Sequence, residues 1–513
     1  MKRNIQYFLV VILVLLAIKG VSQDTLTSEN VEQKSYQLYL DKNWPELIKV
    51  SNKAIKNGYD YFYLQLRVGI AYYEQKNYSI AEGHFQKALS FNADDELSLE
   101  YLYYCYLFVG RNEEARWLSK KFSATLAEKI GTDRQSKIGF IALEGGSKFS
   151  NSNYFNTNYL GKSNKDFNPA TYFQLGLNHF AKQRVSFYHS LTYYNQKSFV
   201  STISQMQYYV KLSIPLKNNW IISPSAHILN VNSTPNVSAY SDLEQQLLQS
   251  QKPLQSQLQA IPQQQTQLIN QHKIDSTIIR NINNWHFTHP GPLPVTKQDS
   301  LNKAVQSDMS IPPQLNQLHL DSVNLSQQVE NYNSQIKQAQ DNQKAVSTSK
   351  NYFIGSLSIQ KTFKKAMFSI GTTISTIYNS TQYINYGLLA YNPLGNSRLV
   401  FGCFGYLNTI NNYKVSYVSI SPFVYFQPTT KLSIKLAYLN NGATSNSNIM
   451  EDNGYFVNNS KDLTKDRYST LINYTLSKHI MLYGVYQLEN KRESNYLYDY
   501  HNNVVVLGLK IIP

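Results

Sequence analysis

Gln207-Tyr208-Tyr209-Val210-Lys211-Leu212-Ser213-Ile214 is the stretch on which the fold turns. Tyr208, Val210, Leu212 and Ile214 alternate with Gln207, Tyr209, Lys211 and Ser213. A period of two puts the first set on one face of a β-strand and the second on the other. The same alternation recurs downstream. Val418, Ile420, Val424 and Phe426 interleave with Tyr417, Ser419, Ser421 and Tyr425. Phe368, Ile370 and Ile374 interleave with Ser369, Gly371, Thr373 and Ser375. Such segments run for about ten residues, the length a tilted strand needs to cross a bilayer.

Working outward from these, fourteen strands are expected. They begin near Lys137, Ala170, Arg184, Thr202, Trp220, Tyr352, Ala366, Gln382, Arg398, Tyr413, Lys431, Arg467, His479 and Asn502. Twelve is the alternative count, because the eighth and eleventh are weakly patterned. The long connections, 149–169, 232–351, 440–466 and 489–501, all fall at odd-numbered positions. Every even-numbered connection is short. Transmembrane barrels sort their loops in this way, with short turns on the periplasmic side. A soluble β-sandwich would also alternate, but it explains neither the strand lengths nor this sorting.

Composition agrees. The 513 residues include 41 Tyr and 23 Phe, and only 16% are charged. Tyr suits a surface that is apolar on one side and wet at its edge. The formal net charge is +15, but no dense Lys/Arg run marks a nucleic-acid surface. Lys2 and Arg3, the apolar run Tyr7 to Ile18, and Gly20-Val21-Ser22-Gln23 read as a secretory signal ending at residue 22. No later segment is apolar enough to span as a helix, so entry into a membrane requires strands.

Residues 23–130 are expected to be helical, with a repeat of 34 residues. Gly69, Tyr72, Ala81, Phe85 and Ala88 carry the spacing, and Tyr106 and Ala115 repeat it 34 residues on. Small residues let paired helices approach, and aromatics fill the gap between pairs. This register resembles the tetratricopeptide repeat, here in three units. Such arrays imply a concave face that binds a protein segment.

Residues 232–351 interrupt the barrel with a Gln-rich insertion. Leu243, Leu247, Leu254, Leu258 and Leu268 recur at helical spacing, as do Leu315, Leu318, Val323, Leu325 and Val329. Trp285 to Pro292 is a turn-rich break between them. The insertion reads equally as a projecting helical hairpin or as a disordered segment, since Pro253, Pro262, Pro312 and Pro313 interrupt it.

The presumed lumen side is rich in hydroxyls, amides and Tyr: Tyr188, Gln205, Gln207, Tyr209, Ser419 and Ser421 stand for it. Lys211, Lys435 and Lys510 are its candidate charges. Such a wall suits sugars better than ions, and it equally suits a packed interior without a channel. No catalytic, cofactor-binding or metal-binding pattern emerges. His189 and Ser190 are adjacent on a strand, so they point to opposite faces and cannot act as base and nucleophile together. His286 and His289 lack Cys or carboxylate companions for a metal. Cys105 and Cys403 fall in different regions, one helical and one strand.

The order of signal, short tetratricopeptide array and barrel resembles the YaiO-like outer-membrane proteins. The Gly69/Tyr72/Ala81/Phe85/Ala88 register and the strand series carry the resemblance. Larger exopolysaccharide-secretion porins share its logic with many more repeats. The terminal Lys510-Ile511-Ile512-Pro513 departs from the usual terminal aromatic. The expected fold is therefore α+β multidomain: all-α repeats at 23–130, then an antiparallel transmembrane β-barrel at 137–513. The expected place is the outer membrane of a Gram-negative cell, in contact with lipid and lipopolysaccharide, with a periplasmic protein bound at the repeats. The expected role is transport or export, of saccharide among other solutes. The alternative is a non-conducting scaffold that links a periplasmic partner to an extracellular ligand.

Overall fold

The computed structural model describes residues 27–133, 136–150, 169–181, 184–197, 201–377, 381–410, 415–442, 450–451, 456–457, 463–492 and 499–513. The secretory signal, most of the 149–169 and 440–466 connections and part of the 489–501 connection lie outside the described residues.

Seven α-helices open the described chain. They are α1 (Ser28–Leu40), α2 (Trp44–Lys56), α3 (Phe62–Glu74), α4 (Tyr78–Phe91), α5 (Glu96–Phe108), α6 (Asn112–Leu118) and α7 (Ala124–Ile130). The helix starts at 28, 62 and 96 stand 34 residues apart, as do those at 44, 78 and 112. The sequence writes these starts directly. Thr27, Asn43, Asp95 and Ser123 each turn a side-chain oxygen onto the backbone N–H three residues on, satisfying a donor that the first turn leaves open. Leu66, Ile70, Ala81, Phe85, Ala88, Leu102, Cys105 and Ala115 form the core of this stack.

Fourteen antiparallel strands then close into a barrel. They are β1 (Ile138–Ser150), β2 (Ala170–Ala181), β3 (Val185–Lys197), β4 (Ser201–Pro215), β5 (Trp220–Pro235), β6 (Thr348–Thr362), β7 (Ala366–Ser375), β8 (Gln382–Tyr391), β9 (Leu399–Ile410), β10 (Val415–Phe426), β11 (Leu432–Asn441), β12 (Leu463–Ser477), β13 (Ile480–Arg492) and β14 (Asp499–Ile511). Each strand pairs with its sequence neighbour. β1 and β14 seal the ring, from Ile141 opposite Ile511 to Ser150 opposite Asn502. Of the two strand counts, fourteen is the one observed, and the weakly patterned eighth and eleventh strands are full members. A short paired segment, Met450–Glu451 with Phe456–Val457, lies between β11 and β12.

The outer wall is apolar. Leu175, Leu191, Tyr208, Ile228, Phe353, Leu357, Ile370, Leu389, Phe401, Val418, Ile420, Leu436, Ile472, Leu482 and Leu507 are all 42–69% exposed, and they come from strands all round the ring. Soluble monomers rarely expose contiguous apolar patches beyond a few hundred Å², whereas a closed sheet in lipid requires such a belt. The residues between them are buried: Gln205, Tyr209, Ser356, Ser358, Ser369, Thr373, Ser419 and Ser421. No helix among the described residues is long and apolar enough to cross a membrane.

Between β5 and β6 the chain forms two long helices, α8 (Val237–Thr288) and α9 (Val295–Gln343), packed as an antiparallel hairpin. The helical alternative is therefore the one observed for this insertion. The seam explains why four prolines fail to break it. In α9, Ala304, Ile311, Leu318, Leu325, Tyr332 and Ala339 recur every seven residues, with Asp308, Leu315, Ser322, Val329 and Ile336 four places after the first five. In α8, Tyr240, Leu247, Leu254, Ile261, Leu268, Asp275 and Ile282 keep the same period. A sustained 3.5-residue spacing is a coiled-coil seam. Pro253, Pro262, Pro312 and Pro313 are all exposed, away from the seam. Each forfeits a backbone hydrogen bond, but none disturbs the packing.

Candidate functional site

The barrel interior and the mouth covered by the helices form the candidate site. At the covered end lie the short turns, and the α8–α9 hairpin leaves the other end, between β5 and β6. Among the described residues, the helical stack touches the β2–β3, β4–β5 and β8–β9 turns. Ser79 N–H donates to Gly395 O at 2.9 Å, Asn396 Nδ2 to Lys76 O at 2.9 Å, and Ser397 N–H to Phe108 O at 3.1 Å. At the β4–β5 turn, Arg111 donates to Asn219 Oδ1 at 2.8 Å, and Asn219 Nδ2 donates to Glu82 Oε1 at 3.0 Å. Beside the β2–β3 turn, the Arg184 guanidinium lies 4.6 Å from the Trp117 ring centre. His84 stands within electrostatic reach of Lys364 in the β6–β7 turn. Arg116 further ties α6 to the barrel, donating to Ser136 O and lying 4.1 Å over the Phe180 ring.

Local sequence explains this fit. Gly395 has φ +68°, a left-handed conformation that glycine adopts without strain. A Cβ there would fall 1.8 Å from Asn77 Oδ1, so the turn's backbone closes directly on the Asn77 side chain. Arg111 is the central post. Its side chain is 6% exposed, with Glu82 at 2.6 Å, Glu114 at 2.9 Å and the Tyr106 ring beneath it at 4.5 Å. Burial works against its charge, but the two carboxylates outweigh burial and raise its pKa further.

The repeat residues lie together in the helical stack. Ala81, Phe85, Ala88, Tyr106 and Ala115 are buried in one core, and Tyr72 packs against it. Gly69 faces Phe85 so closely that a Cβ would sit 2.8 Å from the ring. Tyr72 also stacks on His84 at 5.4 Å and accepts from Asn52 at 2.9 Å.

All seven lumen candidates fall on the inner wall, in two groups. Lys211 and Ser421 line an internal cavity of about 380 Å³. The others are packed into the wall. Ser419 is 1% exposed, accepting from Asn408 and donating to Asn441. Tyr209 meets His227 edge-on at 5.4 Å and Tyr188 at 6.3 Å. Gln205 is buried and Gln207 half-buried. The interior is thus part packed and part hollow.

Sequence reasoning missed most of the interior charge. Glu144, Lys148, Arg467, Glu489 and Lys491 share the inward register with Lys211, Lys435 and Lys510. Lys491 is fully buried, donating to Thr464 at 2.9 Å with Glu489 at 3.7 Å. Glu144 accepts from the Tyr483 hydroxyl at 2.7 Å. The signal was available, since simple parity from Val485 reaches Glu489 and Lys491. It was lost because 489–501 reads as loop.

The remaining chemical candidates are placed apart. His189 stacks on His179 outside the wall at 5.1 Å and bonds to Tyr208, while Ser190 is buried inside. His289 stacks on Trp285 at 4.6 Å near the hairpin tip. Cys105 lies in the helical core, and Cys403 is exposed on the barrel strand β9.

No family model matches this chain, and no curated protein does. Among solved structures, it is similar to the CymD monoaromatic hydrocarbon channel, at 7% identity and TM-score 0.38, over 74% of this chain and 90% of that one. A Pseudomonas aeruginosa FadL homologue aligns at 9% identity and TM-score 0.32, over 73% of this chain and 90% of that one. CdiB from Acinetobacter baumannii aligns at 7% identity and TM-score 0.33, over 73% of this chain and 60% of that one.

Proposed function

We propose that this chain is an outer-membrane transport barrel whose helical stack caps the periplasmic mouth. The observation that carries the reading is the wall itself: a closed ring of fourteen strands, apolar outside and hydroxyl-rich inside, with a cavity within. Short turns belong on the periplasmic side of such barrels, and the helices sit on the short turns. The α8–α9 hairpin then projects from the cell surface for about 78 Å, at 1.5 Å for each of its first helix's 52 residues. The 34-residue helix spacing and the Gly69–Phe85 contact support a tetratricopeptide-like stack of the YaiO-like kind, able to hold a periplasmic protein segment while seated on the barrel.

Reconstituted into planar bilayers, the full chain should conduct in discrete steps. Gly395→Val, which drives a side chain into Asn77, should raise the open fraction by loosening the cap. Silence from both proteins, with the barrel shown to be folded, would contradict transport.

A second reading has its own support. Several wall residues fill the interior instead of lining a pore, and the hairpin carries exposed apolar side chains, Phe287 at 90% and Met309 at 72%. These fit a non-conducting scaffold that grips a ligand outside. Removing 237–343 would then abolish surface binding while leaving the barrel folded and conduction absent throughout.

A further inference from the structure

We infer that the α8–α9 hairpin pairs along one apolar edge with the hairpin of a second copy of this chain, tying two barrels together through a four-helix bundle. The inference goes beyond the transport reading and needs no conduction. It requires only that the barrels hold two copies in one membrane.

The two edges of the hairpin differ. Gln251 donates to Val329 O at 3.2 Å and to Asn333 Oδ1 at 2.7 Å, and Gln340 donates to Glu244 Oε1 at 2.6 Å. Asn333 and Gln340 directly follow the seam residues Tyr332 and Ala339. Places of this kind therefore lie on the edge that Glu244 and Gln251 share. Pro262 and Ile269 of α8 and Val305 and Pro312 of α9 occupy the same kind of place, each directly after a seam residue of that set. Met309 and Val323, which follow the alternate seam residues Asp308 and Ser322, border them. All six are exposed, the four other than proline at 36–72%. The opposite edge is Gln-rich, with Gln257, Gln264 and Gln271 on α8 and Gln314, Gln328 and Gln335 on α9. Ile274 is its exposed apolar exception. Apolar side chains scattered singly are ordinary on a surface, but a run confined to one edge marks an interaction face.

Height and charge select a second copy as the occupant. Barrels in one membrane hold their hairpins level. A two-fold axis along the membrane normal then brings the edge against its own twin, with α8 of each copy across from α9 of the other. His272 Nδ1 lies 2.6 Å from Asp308 Oδ1, which sets Ile269 level with Met309 and Pro312. The apolar stretch of one copy thus meets that of the other. The charges agree. The two bonds of Gln251 put Lys252, the next residue, level with Glu330. Lys252 and Glu330 directly follow the seam residues Gln251 and Val329, as Met309 follows Asp308, so both border the apolar edge. Both are exposed, and neither side chain has a partner within the described chain. Across the axis, Lys252 of each copy meets Glu330 of the other, giving two ion pairs. Such pairs add little strength at a surface, but they decide which edge and which register are used. Phe287, at the hairpin tip, lies beyond this contact.

Disulfide cross-linking between two differently tagged full-length chains, made together and oxidised mildly in the membrane, tests this. Both carry Cys403→Ser, which removes the exposed native thiol. One also carries Lys252→Cys and the other Glu330→Cys, so one Lys–Glu pair survives. A disulfide joining the two tags should form at least fivefold more than with Gln257→Cys and Gln328→Cys, which lie on the Gln-rich edge at similar height. Ile269→Lys combined with Met309→Lys, both outside the seam, should cut the first cross-link at least fivefold. Heat-modifiable gel mobility and protease resistance of the hairpin confirm that this double variant is folded. Equal cross-linking at the two edges, no cross-link between positions 252 and 330, or an unchanged yield in the folded double variant would each overturn the pairing. An edge that holds some other molecule gives the second of these results. A cross-linked dimer that never conducts would retire the transport reading and leave the pairing standing. Conduction without the cross-link would do the reverse.

Discussion

Arg111 carries its guanidinium into a place only 6% exposed, between Glu82 and Glu114. Removing one member of a buried ionic group leaves the others uncompensated, at about 3–5 kcal/mol. Arg111→Ala should therefore lower the stability of the helical stack by about that amount, read from denaturant unfolding followed at the helical signal. It should also free the β4–β5 turn from α6. The sequence does not disclose this ion group, because Glu82 is 29 residues away and Asn219 is 108 residues away. His84 makes a second residue-scale prediction. Burial, aided by Lys364, depresses its pKa from 6.5 to about 4. The unfolded chain takes up a proton below 6.5 that the folded stack refuses until about 4. Stability from this group is present above pH 6.5 and falls as pH drops through that window. Melting temperatures measured from pH 7 to pH 4 should show a decline that His84→Gln flattens. An equal decline in that variant would clear His84 of the effect.

At the scale of elements, the barrel strands were legible almost residue for residue. Tyr208, Val210 and Leu212 announce one face and Gln207, Tyr209 and Lys211 the other, and a single-residue slip would exchange them. The helix pairs were legible for the same kind of reason, since Gly69 and Phe85 must meet. Gly69→Val should overpack that contact and cost about 1–3 kcal/mol, seen as earlier unfolding of the stack while the barrel keeps its heat-modifiable mobility. The hairpin was only half legible. Its leucines showed helical spacing, but Pro253, Pro262, Pro312 and Pro313 argued for breaks. What decides the outcome is the partner helix. Ile261 and Ile311 are buried on the seam, at 5% and 2% exposure, while every proline faces outward. Ile261→Asp together with Ile311→Asp should open the hairpin, giving rapid proteolysis within 237–343 and an intact barrel. Equal protease resistance would show that the seam does not hold it.

At the scale of the whole molecule, the seating of the helices on the barrel was not legible. It depends on backbone carbonyls, a left-handed glycine and ordinary turn residues such as Asn396 and Ser397, none of which carries a pattern that sequence alone can read. The interior was legible in kind, with its Ser, Thr, Gln and Tyr, but its charge was hidden where strands run beyond their apolar alternation. The cap, the lumen and the hairpin all depend on one arrangement, the outward apolar wall of the strands. Spin labels placed singly from 205 to 212 in the full chain, reconstituted in lipid, test it directly. Collision with oxygen, which partitions into lipid, should peak at 206, 208, 210 and 212, and collision with a water-soluble nickel chelate should be favoured at 205, 207, 209 and 211. Uniform accessibility along the stretch, or the opposite phase, would contradict the account.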